Sequence, residues 1–390
     1  LALTAFLHSS MAQETRSLLR RWNICLIFLA FFLSIFGTFI TRSGLISSVH
    51  SFAQSSIGPY FIVFIILTVV FAIFMYQKNK KLISSNEDIV SLFSKENFLI
   101  FNNIFFLIIT LTVFLGTVFP IISEAFTGEK ILVGPTFYDL VNFPNVLALM
   151  SLMSVAPIIP WKTGKLSPIL MLLLKPVILS ILTTFVAYMF FDNFKVLLIF
   201  FISSFVIFVI LQDIIVEFKL QLARGLKWKD ILSKRYRRYC SFLVHFGIIL
   251  LIIGITLSSV YGTKSDFILS TGQSLKINDY DIKLLETYKK ESEAKNILGA
   301  KLLLTDSGSS YYLYPEQNLY KYEGNREINK ETEVAIYNTL KKDYYLILID
   351  DMEDGRFNFK IYINPWVSLL WIGSLVSILG GVLIMFRRKI

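Results

Sequence analysis

Charged residues are scarce in this chain of 390 residues, at 17% of the total against a hydrophobic share of 55%. Soluble chains of this size carry about a quarter charged residues, so a string of soluble domains is excluded. Disordered chains are polar and poor in aromatic residues, and 36 phenylalanines exclude that class too. The composition indicates a helical protein that crosses a membrane several times.

Cysteine is rare, and the common catalytic motifs are absent from the sequence. The two cysteines, Cys25 and Cys240, form no CxxC pair, which argues against a thiol carrier and a zinc site. The sequence contains no Walker-type glycine loop, no HExxH motif and no serine, histidine and aspartate in triad order. These absences leave the chain without a recognisable catalytic nucleophile.

Eight apolar runs are long enough to cross a hydrocarbon core of about 30 Å, for which a helix needs about 20 residues. A further apolar segment opens the chain, and we interpret it as the end of an earlier helix. We therefore expect an all-α polytopic membrane protein, with a transmembrane helical bundle over residues 1–260. The eight runs are Asn23–Thr41, Ile57–Tyr76, Phe98–Phe119, Phe143–Ile159, Ile169–Phe191, Val196–Val216, Tyr239–Val260 and Val367–Phe386.

Basic residues alternate between rich and poor loops along these runs. The loops on one side carry 20 lysines and arginines, whereas the short loops on the other side carry only Arg42, Lys130 and Lys195. Because cytoplasmic loops are enriched in basic residues, the rich side is predicted to be cytoplasmic. This orientation explains the basic segment Lys219–Arg238 without a nucleic-acid partner. Residues 365–390 are then a C-terminal transmembrane helix and a cytoplasmic tail.

Residues 261–364 differ from the rest, because they contain no long apolar run and carry charges of both signs. The alternating segments Ser274–Ile277 and Tyr344–Leu348 predict strands. The segments Asp306–Gly308 and Glu323–Asn325 predict turns. We expect a mainly β domain on the outer, periplasmic side of the membrane, inserted before the last helix.

Histidine occurs three times, and two of the three lie inside apolar segments. His245 follows Arg238 by seven residues, about 10 Å along a helix, and His8 precedes Arg16 by eight residues, about 12 Å. Two histidines at matched depth on separate helices can bind one metal or haem iron from opposite sides. From the spacing alone, two unrelated packing histidines explain the pattern equally well.

The third histidine, His50, lies in the predicted outer loop between the apolar residues Val49 and Phe52. A polar surface residue and a ligand are both consistent with this position. Arg42 is close by in the chain and is a cation suited to a carboxylate such as a haem propionate. The loop is therefore a second candidate site.

The sequence resembles the CcmF/NrfE haem lyases, of the CcmF/CycK/CcsA superfamily, along almost its whole length. The most specific similarity lies in the outer histidine loop, in Ile35–Gly44, Ser48–Ala53 and Ser56–Phe61. Shorter matches follow in the third run, its outer loop, the β domain and the entry to the last helix. They are Leu115–Thr117, Thr127–Lys130, Val133–Pro135, Tyr314–Glu316, Thr332–Glu333, Asp343–Tyr345 and Asn364–Pro365.

The resemblance implies a role for each histidine. His8 and His245 match the two membrane histidines that ligate a stable haem b in this family, and His50 matches an outer ligand of the substrate haem. Arg42 becomes a candidate contact for a propionate. The family's tryptophan-rich WWD segment and its first outer histidine are expected upstream, so we interpret the sequence as a C-terminal fragment lacking the WWD segment.

The resemblance also implies an enzyme of cytochrome c biogenesis, a cytochrome c haem lyase or quinol–haem oxidoreductase of the bacterial inner membrane. Haem would arrive from a periplasmic chaperone of the CcmE type and be joined by thioether bonds to the CXXCH motif of apocytochrome c. The haem b would reduce the substrate haem, with quinol as a candidate electron donor. Subunits of the CcmH and CcmG type, which handle apocytochrome thiols, are the other expected partners.

Two functions from other classes remain open at this point. One is a polytopic transporter or export permease, although the chain has few polar groups at mid-membrane depth and no evident repeat. The other is a b-type electron-transfer subunit without attachment activity. Within the resembled family, the general lyase and the nitrite-reductase-dedicated NrfE form are both consistent with the sequence.

Overall fold

The structure is a computed structural model that describes residues 1–43, 57–83, 91, 93–162, 166–292, 295–306, 308–320, 329–352 and 355–386. The chain divides into two compact units. The first comprises Leu1–Leu182 and Ser204–Lys219, and the second comprises Thr183–Ser203 and Leu220–Ile390.

The described residues form ten α-helices, most of them long and apolar. They are α1 (Ala2–Arg16), α2 (Arg20–Ser43), α3 (Gly58–Asn79), α4 (Lys95–Thr127), α5 (Pro135–Val155), α6 (Leu166–Tyr188), α7 (Phe194–Ala223), α8 (Trp228–Lys234), α9 (Tyr236–Tyr261) and α10 (Ser368–Met385).

Among the described residues, seven helices are long and apolar enough to cross a membrane: α2, α3, α4, α6, α7, α9 and α10. They coincide with seven of the eight predicted runs, so the multi-pass helical architecture is confirmed. The remaining run, Phe143–Ile159, lies mainly in α5, which begins at Pro135 and is not among the seven. The predicted start at Phe143 is therefore wrong.

The earlier start of α5 has a local cause. Proline suits the first turn of a helix, because its fixed φ is already helical and its missing N–H has no partner there. Pro135 occupies that position after Gly134, and Pro144 lies inside the helix rather than before it. The first turns then include Thr136, Tyr138 and Asp139, which make α5 more polar than the predicted run.

The described residues between α9 and α10 form ten antiparallel strands in two sheets. The strands are β1 (Thr263–Ser270), β2 (Ser274–Ile277), β3 (Tyr280–Glu291), β4 (Lys295–Asp306), β5 (Ser309–Leu313), β6 (Glu316–Tyr320), β7 (Asn329–Glu333), β8 (Ala335–Asn338), β9 (Lys342–Asp351) and β10 (Arg356–Pro365). One sheet has the order β1-β10-β9-β8; the other has the order β2-β3-β4-β6-β7, with β5 also paired to β4.

A separate β domain is thereby confirmed, including both quoted strands. Of the predicted turn at Asp306–Gly308, the described residues are Asp306, which ends β4, and Gly308, which precedes β5 with a positive φ of 85°. The predicted turn at Glu323–Asn325 lies outside the described residues.

Alternating side chains of both sheets build one apolar core. On β4, Leu298, Ala300, Leu302 and Leu304 are all buried, and Asp306 continues the same inward-facing series. The matching positions of the other sheet are Leu346 and Leu348 on β9 and Phe357, Phe359 and Ile361 on β10. Side chains two residues apart face the same side of a strand, so each sheet contributes its inner face.

Asp306 is a buried charge that links the two sheets. Its carboxylate accepts a hydrogen bond from the Tyr344 hydroxyl and another, at 3.1 Å, from Nζ of Lys342, both on β9. Burial and the hydrogen bond to Asp306 raise the pKa of Tyr344 above its ordinary value. The carboxylate is thus paired and hydrogen-bonded, as a buried charge requires.

The β domain connects directly to α9 and α10 through neighbouring strands. Strand β1 follows α9 and pairs antiparallel with β10, which leads into α10. The backbone N–H of Trp366 also donates to the Lys341 carbonyl at 2.8 Å. Pairing of β1 with β10 therefore brings the ends of α9 and α10 together.

Glycines allow α9 and α10 to pack with their backbones close together. A Cβ atom at Gly247 would lie 2.5 Å from the carbonyl oxygen of Gly373, and one at Gly380 would lie 2.9 Å from the carbonyl oxygen of Cys240. A Cβ at Gly254 would lie 2.8 Å from a methyl carbon of Leu370. Small residues permit such approaches between membrane helices.

We predict that Gly380→Ala destabilises the protein, because the added methyl group would press on the backbone of α9. The expected loss in free energy of unfolding is about 1–3 kcal/mol, the range for overpacking, measured by thermal unfolding in detergent. Gly381→Ala is the matched control, since a Cβ there meets no described atom within 4 Å. Equal losses in both variants would contradict the packing explanation.

Candidate functional site

His8 lies on α1 in the first unit and is half-buried. Its Nδ1 lies 2.8 Å from the carbonyl oxygen of Thr4, four residues earlier in the same helix. A carbonyl oxygen only accepts hydrogen bonds, so Nδ1 carries the proton and Nε2 carries the lone pair. This tautomer fits haem ligation, because metal-bound histidines commonly donate their other ring N–H to a carbonyl.

The ring of His8 also contacts α4. Its centroid lies 5.7 Å from that of Phe106, with an interplanar angle of 40°. The hydrogen bond to Thr4 and the contact with Phe106 restrict the imidazole from two directions. His8 is therefore held by its own helix and by a neighbouring one.

Asn103 ties α4 to both α1 and α2. The residue is fully buried. With its amide oriented to satisfy both groups, Asn103 donates to the carbonyl oxygen of Ala5 at 2.9 Å and accepts from Nε1 of Trp22 at 2.8 Å. One side chain thus bridges the helix that carries His8 and the helix that follows it.

A second set of polar contacts joins α1 to α2. The Ser9 hydroxyl donates to Oδ1 of Asn23, and Nδ2 of Asn23 donates to Oε1 of Gln13 at 2.6 Å. Ser9 and Asn23 are buried. Ser9 is the next residue after His8, so this contact restrains the same turn of α1.

The end of α1 is tied to the start of α4 by an ion pair. Nε of Arg16 lies 3.5 Å from Oε1 of Glu96, whose side chain is only 4% exposed. The same carboxylate accepts from the backbone N–H of Lys162, at 3.2 and 3.1 Å to its two oxygens. Glu96 is therefore both paired and hydrogen-bonded where it is buried.

His245 lies on α9 in the second unit, in a turn that packs on α10. The residue is half-buried and its Nδ1 atom is shielded from solvent. The Ser377 hydroxyl of α10 donates to the carbonyl oxygen of Val244 at 3.2 Å, and Gly247 and Gly380 permit the close approach nearby. This packing fixes the backbone on which His245 is carried.

The outer candidate site is described only in part. Arg42 is exposed in the last turn of α2, where a cation interacts favourably with the helix dipole. His50 lies outside the described residues. His8 and His245 belong to different units, so their joint ligation of one haem stays a prediction.

Sequence reasoning missed the polar groups that hold these helices. One of them is the indole of Trp22, which donates to buried Asn103. The adjacent amides Asn102 and Asn103 inside an apolar run were a usable signal, since polar residues within membrane helices usually have a specific role. Glycines seven residues apart in α9 and again in α10 were the signal for the close packing.

No protein-family model matches the chain. A cytochrome c-type biogenesis protein CcmF of Pseudomonas aeruginosa is 28% identical over 396 residues, covering 99% of this chain and 58% of that protein. A CycK protein of the same description from Rhizobium meliloti is 27% identical over 403 residues, covering 100% of this chain and 58% of that protein. The chain thus spans somewhat more than half the length of these relatives.

A solved structure titled cytochrome c haem lyase CcmF has the same fold. It superposes with a TM-score of 0.73 at 21% identity, covering 99% of this chain and 58% of that one. The aligned region includes both the helices and the β domain. The resemblance found in the sequence is thus confirmed, and the chain is similar to the CcmF and CycK cytochrome c-type biogenesis proteins along nearly its whole length.

Proposed function

We propose that this chain forms part of a haem lyase that attaches haem to apocytochrome c. Similarity to a cytochrome c-type biogenesis protein along 99% of the chain supports a role in cytochrome c biogenesis. The observation that carries the haem assignment is His8, an imidazole on an apolar helix whose Nδ1 is hydrogen-bonded to Thr4 at 2.8 Å. That arrangement presents the Nε2 lone pair required by haem iron.

In this proposal His8 and His245 would hold a resident haem b through their ring nitrogens. The haem, when bound, supplies an electron to the substrate haem, with quinol as the candidate source. Thr4 keeps Nε2 of His8 as the basic nitrogen, because its carbonyl holds the proton on Nδ1. The packing of α9 on α10 keeps the backbone beside His245 in place.

The substrate haem is proposed to bind on the outer side, with His50 as a ligand and Arg42 as a candidate partner of a propionate. A cysteine S–H of the CXXCH motif adds across each vinyl group, forming one C–S and one C–H bond without a change in overall oxidation state. The bond-forming groups belong to haem and apocytochrome. The protein's contribution is orientation, so it needs no nucleophile of its own.

We further propose that the protein lies in the bacterial inner membrane with its β domain in the periplasm. Its partners would be a CcmE-type haem chaperone, apocytochrome c, and subunits of the CcmH and CcmG type that handle apocytochrome thiols. The asymmetry of 20 basic residues against three on alternate loops supports this orientation.

The orientation predicts which added cysteines an impermeant reagent can reach. Ser309 is the exposed first residue of β5, and Lys227 lies in the exposed segment before α8, so each is replaced by cysteine in turn. In a background with Cys25 and Cys240 replaced by alanine, a maleimide applied to spheroplasts should label position 309 alone. Permeabilised cells, in which both should react, are the control, and labelling of position 227 alone in intact spheroplasts would reverse the topology.

For the resident haem, His8→Ala and His245→Ala should each abolish or strongly reduce the b-type absorption spectrum of the purified full-length protein. Each change would remove one of the two ring nitrogens proposed to hold the haem, so the haem would be bound less tightly. Haem content per protein and the reduced α-band are the measurements. His50→Ala is the comparison variant and should retain the spectrum; unchanged haem content in both test variants would refute the ligand assignment.

For the substrate haem, His50→Ala should retain the b-type spectrum but lose most cytochrome c maturation in a strain without a second lyase. A missing ligand loosens the orientation of the vinyl groups, and a displacement near 1 Å costs about a hundredfold in rate. Added imidazole should partly restore maturation by occupying the vacant ligand position. Normal maturation in the variant would show that His50 is not a ligand, whereas a b-type spectrum with no maturation by the unmodified protein would favour an electron-transfer subunit.

A further inference from the structure

We infer that Asn103 is a positioning residue for the haem ligand His8, acting through the backbone of α1 and the adjoining helix α2. The inference rests on the proposed function, because it concerns the haem that His8 is proposed to bind. Neither the resemblance nor the names of the relatives assigns a role to this residue. Its support is the hydrogen-bond geometry of a fully buried amide.

Asn103 uses both ends of its amide on different helices. Its N–H donates to the Ala5 carbonyl of α1 at 2.9 Å, and its oxygen accepts from the Trp22 indole of α2 at 2.8 Å. Inside an apolar bundle neither group could exchange this partner for water. Sliding or rotation of α1 along α4 would therefore leave polar atoms without partners, which makes this one arrangement strongly preferred.

The Asn103 contact lies within one turn of His8. Ala5 precedes His8 by three residues and so lies on the same side of α1. Phe106 follows Asn103 by three residues on α4 and contacts the His8 ring at 5.7 Å. Asn103 thus holds the α1 backbone against α4 at the level where Phe106 restricts the imidazole plane.

The orientation of an axial imidazole affects the electronic structure of haem iron. Hydrogen bonding and outer contacts of a ligand tune the potential and spectrum of the metal it binds. If Asn103 is lost while His8 remains, haem should still bind, but the ring plane of His8 should be less defined. We therefore expect a change in the spectrum and midpoint potential of the haem rather than loss of the haem.

Asn102 provides a matched control at the adjacent position. It has the same residue type, lies on the same helix and differs in depth by one residue. Its Nδ2 is buried, but among the described residues it has no acceptor. Replacing Asn102 with leucine therefore removes no identified bond and tests only the loss of one amide from the run.

The experiment compares Asn103→Leu, Asn102→Leu and Trp22→Phe with the unmodified full-length protein purified with its haem. Haem content, the low-spin electron paramagnetic resonance spectrum and the midpoint potential are measured for each. We expect Asn103→Leu to broaden the low-spin signal and shift the potential. Trp22→Phe, which removes one of the two bonds, should shift the potential in the same direction by less, and Asn102→Leu should match the unmodified protein.

Each outcome has a separate meaning. The inference would be overturned if Asn103→Leu had the same low-spin signal and midpoint potential as the unmodified protein. It would also be overturned if Asn102→Leu and Asn103→Leu shifted the midpoint potential equally. If Asn103→Leu cannot be purified with haem, Trp22→Phe alone decides: a shift supports the inference and its absence overturns it. Absence of haem b from the unmodified protein would instead contradict the proposed function.

Discussion

Polar groups buried among apolar helices must find their hydrogen-bond partners within the protein, and the first unit depends on this constraint. Asn103 finds its partners on α1 and α2 and so joins α4 to both helices. Glu96 pairs with Arg16 and so joins the start of α4 to the end of α1. Asn23 finds its partners in Ser9 and Gln13. Apolar contacts alone allow one helix to slide along another, whereas each of these bonds specifies a register. The turn that carries His8 lies among them, so its position is set by bonds that water cannot replace.

The second unit is held by a different device, the close approach of two backbones. Strand β1 pairs with β10 over eight residues, from Thr263 opposite Ile363 to Ser270 opposite Arg356. This pairing sets the ends of α9 and α10 side by side, and the four glycines at 247, 254, 373 and 380 let the helices stay in contact below it. The β domain and the helix pair therefore constrain each other. The strand pairing and the glycine contact both restrict the position of His245, since its turn of α9 lies within the glycine contact.

The sequence was sufficient to predict what depends on hydrophobic length and period. Seven of the eight runs coincide with long apolar helices, and the strand Ser274–Ile277 has the predicted bounds. The start of α5 was missed because the apolar run begins only at Phe143, whereas the helix begins at Pro135 and contains Pro144. Partners such as Ala5 and Asn103 are distant in sequence and belong to separate helices. Composition shows that a buried asparagine needs a partner, but only the packed helices show which partner it has.

The same constraint on buried polar groups explains how the proposed haem site can be built from so few recognisable residues. A histidine in an apolar helix has two ring nitrogens to satisfy, and its own helix satisfies one of them when Nδ1 bonds the Thr4 carbonyl. The second nitrogen then has to meet a metal or another polar group. Since the proposed thioether formation uses reactive groups supplied by haem and apocytochrome, it requires placement of the ligands rather than a nucleophile of the protein. In that proposal, residues that fix the helices in place, such as Asn103 and Gly380, contribute to function although neither is expected to touch a reacting atom.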